Sequence, residues 1–167
     1  MHEEKEFHLP TPFQNPAFFD REIVRLNPDD FFYFDLVYLS GMNGKKPWEM
    51  CETELPSLFG RWKEMAHEIE NTMKKPFKTD QKKMMAGLEL FIEVLYWMNG
   101  QPVHSLQLDD VKKLEMTPSN IADRLEFILA RPTQYHAFIQ LKELFTEAEK
   151  IFYKQQAMKK AKKKRSP

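Results

Sequence analysis

Apolar positions along the chain recur at helical spacing and are interrupted by breaks marked by proline, asparagine and glycine. The densest run is 82–98, KKMMAGLELFIEVLYWM, framed by Asp80 and by Asn99-Gly100. Met84, Leu88, Phe91, Ile92 and Leu95 recur at intervals of three and four, and Met85, Val94, Tyr96, Trp97 and Met98 make much of the remaining surface apolar. A helix that is apolar on nearly every side is a buried one, so this run is expected to be the central helix of the fold. Its two acids, Glu89 and Glu93, lie one turn apart and are expected to mark its single solvent-facing strip.

The flanking stretches predict further helices. Residues 1–14, with Pro10 and Pro12, read as an extended arm that lays Phe7, Leu9 and Phe13 on the body. Asn15-Pro16 is a cap followed by a first-turn proline, which predicts a short helix over 17–25 that ends before Asn27-Pro28. The run 31–39 fits a helix or a buried strand. Asp29 and Asp30 before it and Gly41 after it favour the helix, and no second strand is evident to pair with it. A long helix is expected over 53–75, with Thr53 as cap, Pro56 in the first turn, and Lys74, Lys75 and Pro76 closing it. Shorter helices are expected over 109–114 and 119–130. A last helix opens after Thr133 and carries Phe138, Leu141, Leu144, Phe145, Ala148, Ile151 and Phe152 inward. The apolar stripe stops at Tyr153, so the remainder is expected to leave the body as a frayed or solvated helix. The expectation is an all-α single domain: a bundle of five to seven helices around the helix at about 80–98. An arm (1–14) precedes the helical domain (15–153), and a basic tail (154–167) follows it.

Composition agrees with one globular domain: 167 residues, 42% hydrophobic and 30% charged. The net charge of zero conceals an asymmetry. Residues 154–167 hold seven bases and no acids, leaving 18 basic against 25 acidic residues, a net of −7, in the preceding 153. The single Cys51 makes no intramolecular disulfide. The opening MHEEKEFHLPTP has no apolar leader, and 84–98 is too short and too acidic for a membrane span, so a cytoplasmic setting is expected.

Candidate chemistry is sparse. Glu64 and His67 form an E-x-x-H on a helix, the spacing of di-iron bundles, but such sites need two of these motifs and no other histidine follows a glutamate by three. Glu89 and Glu93 would have to complete a metal set. Cys51 has no sequence mark of a nucleophile, and the paired acids Asp29-Asp30 and Asp109-Asp110 sit where helix N-termini are expected. With five glycines and no glycine-rich motif, a phosphate cradle is not expected. Residues 108–131 have the lengths of a helix-turn-helix, with Thr117, Ser119 and Asn120 opening the second helix. The acids of the segment outnumber its bases, which argues against DNA contact there.

The run GKKPWEMCETELPSLFGRWKEM at 44–65, with the Lys46-Pro47-Trp48 turn, Leu58-Phe59, Arg61-Trp62 and LELFIEVLYWMNG at 88–100, resembles the YpoC-like proteins of Bacillus-type bacteria. The resemblance implies a bacterial cytoplasmic setting and supplies no catalytic or binding residues.

Function is therefore expected to be non-enzymatic and without a cofactor: a binding or adaptor protein. Its expected partner is nucleic acid or a nucleic-acid-handling protein, reached through Lys159, Lys160, Lys162, Lys163, Lys164 and Arg165. The alternative is a protein-interaction module anchored by an exposed loop aromatic, Trp48, with the tail serving solubility. A helical carboxylate metal enzyme is the remote third reading. Membrane contact is disfavoured, because Met158 is the only sizeable apolar side chain in the tail.

Overall fold

The computed structural model describes residues 4–73 and 78–165. Among these the fold is predominantly helical, with one two-stranded sheet. In chain order the elements are β1 (Lys5–His8), β2 (Ile23–Leu26), α1 (Tyr33–Leu39), α2 (Cys51–Asn71), α3 (Gln81–Met98), α4 (Leu108–Val111), α5 (Ile121–Ala130) and α6 (Tyr135–Arg165).

The expected central helix is α3. Met84, Leu88, Phe91, Ile92 and Leu95 are all buried, and so are Val94, Tyr96, Trp97 and Met98. Its N-cap is Asp80, whose carboxylate accepts the Lys83 N–H at 3.0 Å, satisfying a donor the helix cannot. Helices α2 and α6 pack on it through aromatic rings. Trp62 of α2 stacks on Phe145 of α6 with centroids 4.1 Å apart and planes at 9°, and Phe91 of α3 meets Phe145 edge-on at 5.0 Å.

Gly87 leaves no room for a side chain among the three helices: an added Cβ would lie 2.9 Å from Trp62 Cζ3 and 3.1 Å from Leu141 Cδ2. Alanine normally gains about 1 kcal/mol over glycine in a helix. Here the stacked Trp62 ring has little room to move. Gly87→Val is expected to destabilise the fold by about 1–3 kcal/mol through overpacking, seen as a lower urea midpoint.

One expectation about the N-terminal region is overturned: residues 17–25 are not a helix. The segment before them does lay Phe7, Leu9 and Phe13 on the body, where all three are buried. Residues 16–18 form a turn, and β2 pairs antiparallel with β1 in the register Lys5↔Leu26, Glu6↔Arg25, Phe7↔Val24, His8↔Ile23. Adjacent β-branched Ile23 and Val24 favour the extended state, and Asn15 caps a turn, not a helix, its Oδ1 accepting the Ala17 N–H at 3.0 Å. The hairpin seats Phe7 edge-on to Tyr33 at 5.8 Å, and the 3-10 turn Thr11–Phe13 seats Phe13 against Phe32 at 6.0 Å. The fold is thus helical with a small sheet rather than all-α.

The run 31–39 resolves to the helix α1. Helix α2 begins at Cys51, two residues before the expected cap, so Thr53 and Pro56 both lie inside it. Its expected closure by Lys74, Lys75 and Pro76 lies outside the described residues. Helix α6 runs unbroken to Arg165, with Phe152 its last buried side chain and everything from residue 157 onward exposed.

Candidate functional site: a cationic helical extension, a cleft at its base and buried carboxylates

The last ring contacts of α6 with the body are made by Phe152 and Tyr153, whose rings lie 5.8 and 6.1 Å from Phe59 of α2. Beyond them the helix continues for twelve residues, about 18 Å at 1.5 Å per residue. At 100° per residue, Lys154, Lys159, Lys160, Lys162, Lys163, Lys164 and Arg165 are spread around the whole circumference. Lys159, Lys160, Lys163, Lys164 and Arg165 form no ion pair with the described residues. All six bases expected to make contact thus lie on one solvated rod that projects from an acidic body.

At the foot of this rod is an open cleft of about 530 Å³. One wall is α6, through Gln155, Gln156 and Lys159, and another is the first turn of α2. The floor comes from the end of α3 and from Met116. Cys51 faces the cleft half-buried. Its thiol donates to the carbonyls of Trp48 (3.2 Å) and Trp97 (2.9 Å), and burial pushes its pKa up against the opposing pull of Lys159. It is a structural thiol, not an activated nucleophile.

Trp48, expected to be an exposed anchor, is only 4% exposed. Its indole lies edge-on to Tyr38 at 5.3 Å and tilted against Trp97 at 6.5 Å. The 3-10 turn Pro47–Glu49 folds it inward, because an indole gains more from burial in a core than a lysine-flanked loop gains from displaying it. Buried in this way, Trp48 offers no exposed anchor to a partner.

The expected exposed strip of α3 is also overturned. Glu93 is 4% exposed and Glu89 half-buried. Glu93 accepts the Phe32 N–H at 2.6 Å. That bond helps hold Phe32 in a left-handed conformation (φ 71°) at the head of α1, a backbone state that costs a non-glycine residue about 1–2 kcal/mol. Beside it lies Asp35, which the sequence reading passed over. It is fully buried; its Oδ1 accepts from Trp97 Nε1–H at 2.8 Å and from the Val103 N–H, while its Oδ2 has no partner.

Burial raises both acids, Asp35 to about 6 and Glu93 well above the carboxylate range, each in a site that disfavours charge. Asp35 raises Glu93 further, and Arg61, which sits over the Phe31 ring at 4.5 Å, pulls it back only in part. Glu89, beside Asp30, is raised to about 7, mainly by burial. The pair ties α1 and the 99–107 connection to α3. The signal was present: Asp35 is the one charged residue in the apolar run 31–39.

The remaining candidates do not assemble. Glu64 and His67 are exposed on α2 while Glu93 is buried under α1, and among the described residues no three His, Cys, Asp or Glu side chains group as metal ligands. Helix α4 has four residues, too few for the first helix of a helix-turn-helix, and Thr117, Ser119 and Asn120 line a shallow surface hollow. Among the described residues no helix is long and apolar enough to cross a membrane.

These features define a small, mostly helical protein organised around one buried helix and bearing a cationic helical extension. The chain belongs to the YpoC-like family, whose profile matches residues 52–160 and so takes in α2 to the first part of the extension. It is 38% identical over 145 residues to "Uncharacterized protein YpoC" of Bacillus subtilis (strain 168), with 83% of each chain covered. No solved structure matches it.

Proposed function

We propose that this is a non-enzymatic, cytoplasmic nucleic-acid-binding protein that holds phosphate backbone along the α6 extension. The observation that carries the reading is the continuation of α6 as a solvated helix with bases on every side. An amphipathic membrane helix keeps its bases on one face and a broad apolar face opposite. A rod charged all round instead suits a polyanion that wraps or lies alongside it, with affinity drawn from released counterions. The acidic body, net −7 over residues 1–153, repels the same polyanion and confines contact to the rod.

The test is fluorescence anisotropy with labelled duplex and single-stranded DNA and RNA at low salt, using the full chain and a chain ending at Tyr153. Binding by the full chain and its loss on truncation is the expected result. Undetectable binding by the full chain, or equal binding by both, sinks the reading.

A further inference from the structure

We infer that the cleft at the foot of the extension receives an unpaired base of the nucleic acid that the extension holds, so that the protein prefers single-stranded ends to blunt duplex. This inference rests on the nucleic-acid reading above. Gln155 and Lys159 are one helical turn apart on α6, so one continuous surface leads from the bases of the rod into the cleft. The side-chain amides of Gln155 and Gln156 face it and make no hydrogen bond with the described residues.

The charges sort the parts of a nucleotide. Glu49, Glu52 and Glu115 line the cleft against the single cation Lys159. That excess of carboxylate turns phosphate away and leaves it on the rod. A nucleobase is neutral and presents ring and exocyclic N–H donors, which carboxylates and amide oxygens accept; the amide N–H groups serve its ring nitrogens and carbonyls. Met50, Met98 and Met116 supply adaptable apolar wall for the faces of the ring. The volume, about 530 Å³, falls in the range of small-molecule sites. A base still paired in a duplex cannot enter, because its edge is already occupied and its faces are stacked.

The experiment compares the full chain with Gln155→Ala/Gln156→Ala. Both positions are half-buried on α6 beyond its last buried side chain, Phe152, where alanine maintains the helix. Three labelled DNA probes share one sequence: a blunt duplex, the same duplex with a four-nucleotide single-stranded overhang, and the free strand. The full chain is expected to bind the overhang and the strand about tenfold more tightly than the blunt duplex, the worth of one well-made base contact. The double variant is expected to keep its blunt-duplex affinity and lose that preference. Equal affinity of the full chain for all three probes overturns the cleft assignment while leaving the rod reading in place. A preference that survives in the double variant overturns it as well. Binding to none of the probes removes the nucleic-acid reading, and this inference with it.

Discussion

Asp35→Ala is expected to destabilise the protein by about 3–5 kcal/mol, a large fraction of the stability of a domain this size. The substitution removes the only acceptor of two buried donors, the Trp97 indole N–H and the Val103 N–H, and opens a cavity between α1 and α3. Each stranded donor costs about 1–3 kcal/mol. Asp35→Asn separates this role from that of the charge, because its side-chain carbonyl still accepts both bonds. It is expected to sit near wild type at pH 5 and above it at pH 8. Urea unfolding followed by tryptophan fluorescence at the two pH values measures both effects. An asparagine variant as damaged as the alanine variant at both pH values contradicts this account.

The sign at pH 8 follows from proton linkage. Asp35, Glu93 and Glu89 are all raised in the folded chain, so between the ordinary carboxylate range and their folded values the native state holds protons that the unfolded state has released. Stability then falls as pH rises. Their contribution is complete below about pH 4 and is lost as pH climbs through about 6 for Asp35 and about 7 for Glu89. Asp110, held below its usual range chiefly by the Ser105 hydroxyl, acts in the opposite sense, but it lies at the surface and its effect is small. Glu93→Gln, which keeps the acceptor for the Phe32 N–H, is expected to flatten the dependence of Tm on pH between 5 and 8. An unchanged slope would show that the pair does not share the burden of ionisation.

The helical core was legible because α3 announces itself by period alone: any helix with Leu88, Phe91, Ile92 and Leu95 on one side and Val94, Tyr96 and Trp97 on the others has to be enclosed. The same fact should have ruled out a solvent strip at Glu93, since a helix covered on every side buries its acids too. Once covered, an acid is kept by hydrogen bonds and a proton instead of by water. The hairpin was hidden for a different reason. Each strand is four residues long, too short for alternation to stand out, and the pairing of Phe7 with Val24 is non-local. The Asn15-Pro16 signal was correctly read as a cap, but it starts a turn. Trp48 was misplaced because its neighbours Lys45 and Lys46 mark a surface loop, while the indole itself points the other way, toward Trp97. The cleft was invisible in principle, since Cys51, Met116 and Gln155 meet only through the tertiary fold.

Reversing charge on the extension is expected to have the largest effect on binding. Lys160→Glu, Lys163→Glu and Lys164→Glu together replace three contacts by three repulsions along one face of the rod, since the positions are three and four residues apart. Each phosphate neutralised on B-DNA contributes about −0.9 to the slope of log K against log salt. The wild-type slope is therefore bounded by the seven bases beyond Tyr153, and the triple variant is expected to lose at least about three of those contacts. The corresponding loss of affinity at 50 mM salt is on the order of a thousandfold. Because the three side chains are exposed, thermal stability is expected to stay within about 0.5 kcal/mol of wild type. A fold-level explanation of lost binding is thereby separated from an electrostatic one.

The most direct measurement is the salt dependence of binding to a labelled 20-nucleotide strand, taken between 50 and 200 mM for the full chain, the triple variant and the chain ending at Tyr153. The account predicts a steep negative slope for the full chain, a clearly shallower one for the triple variant, and no measurable binding for the truncated chain at any salt. A truncated chain that binds with the same affinity and slope as the full one would place the contact on the body and contradict the account.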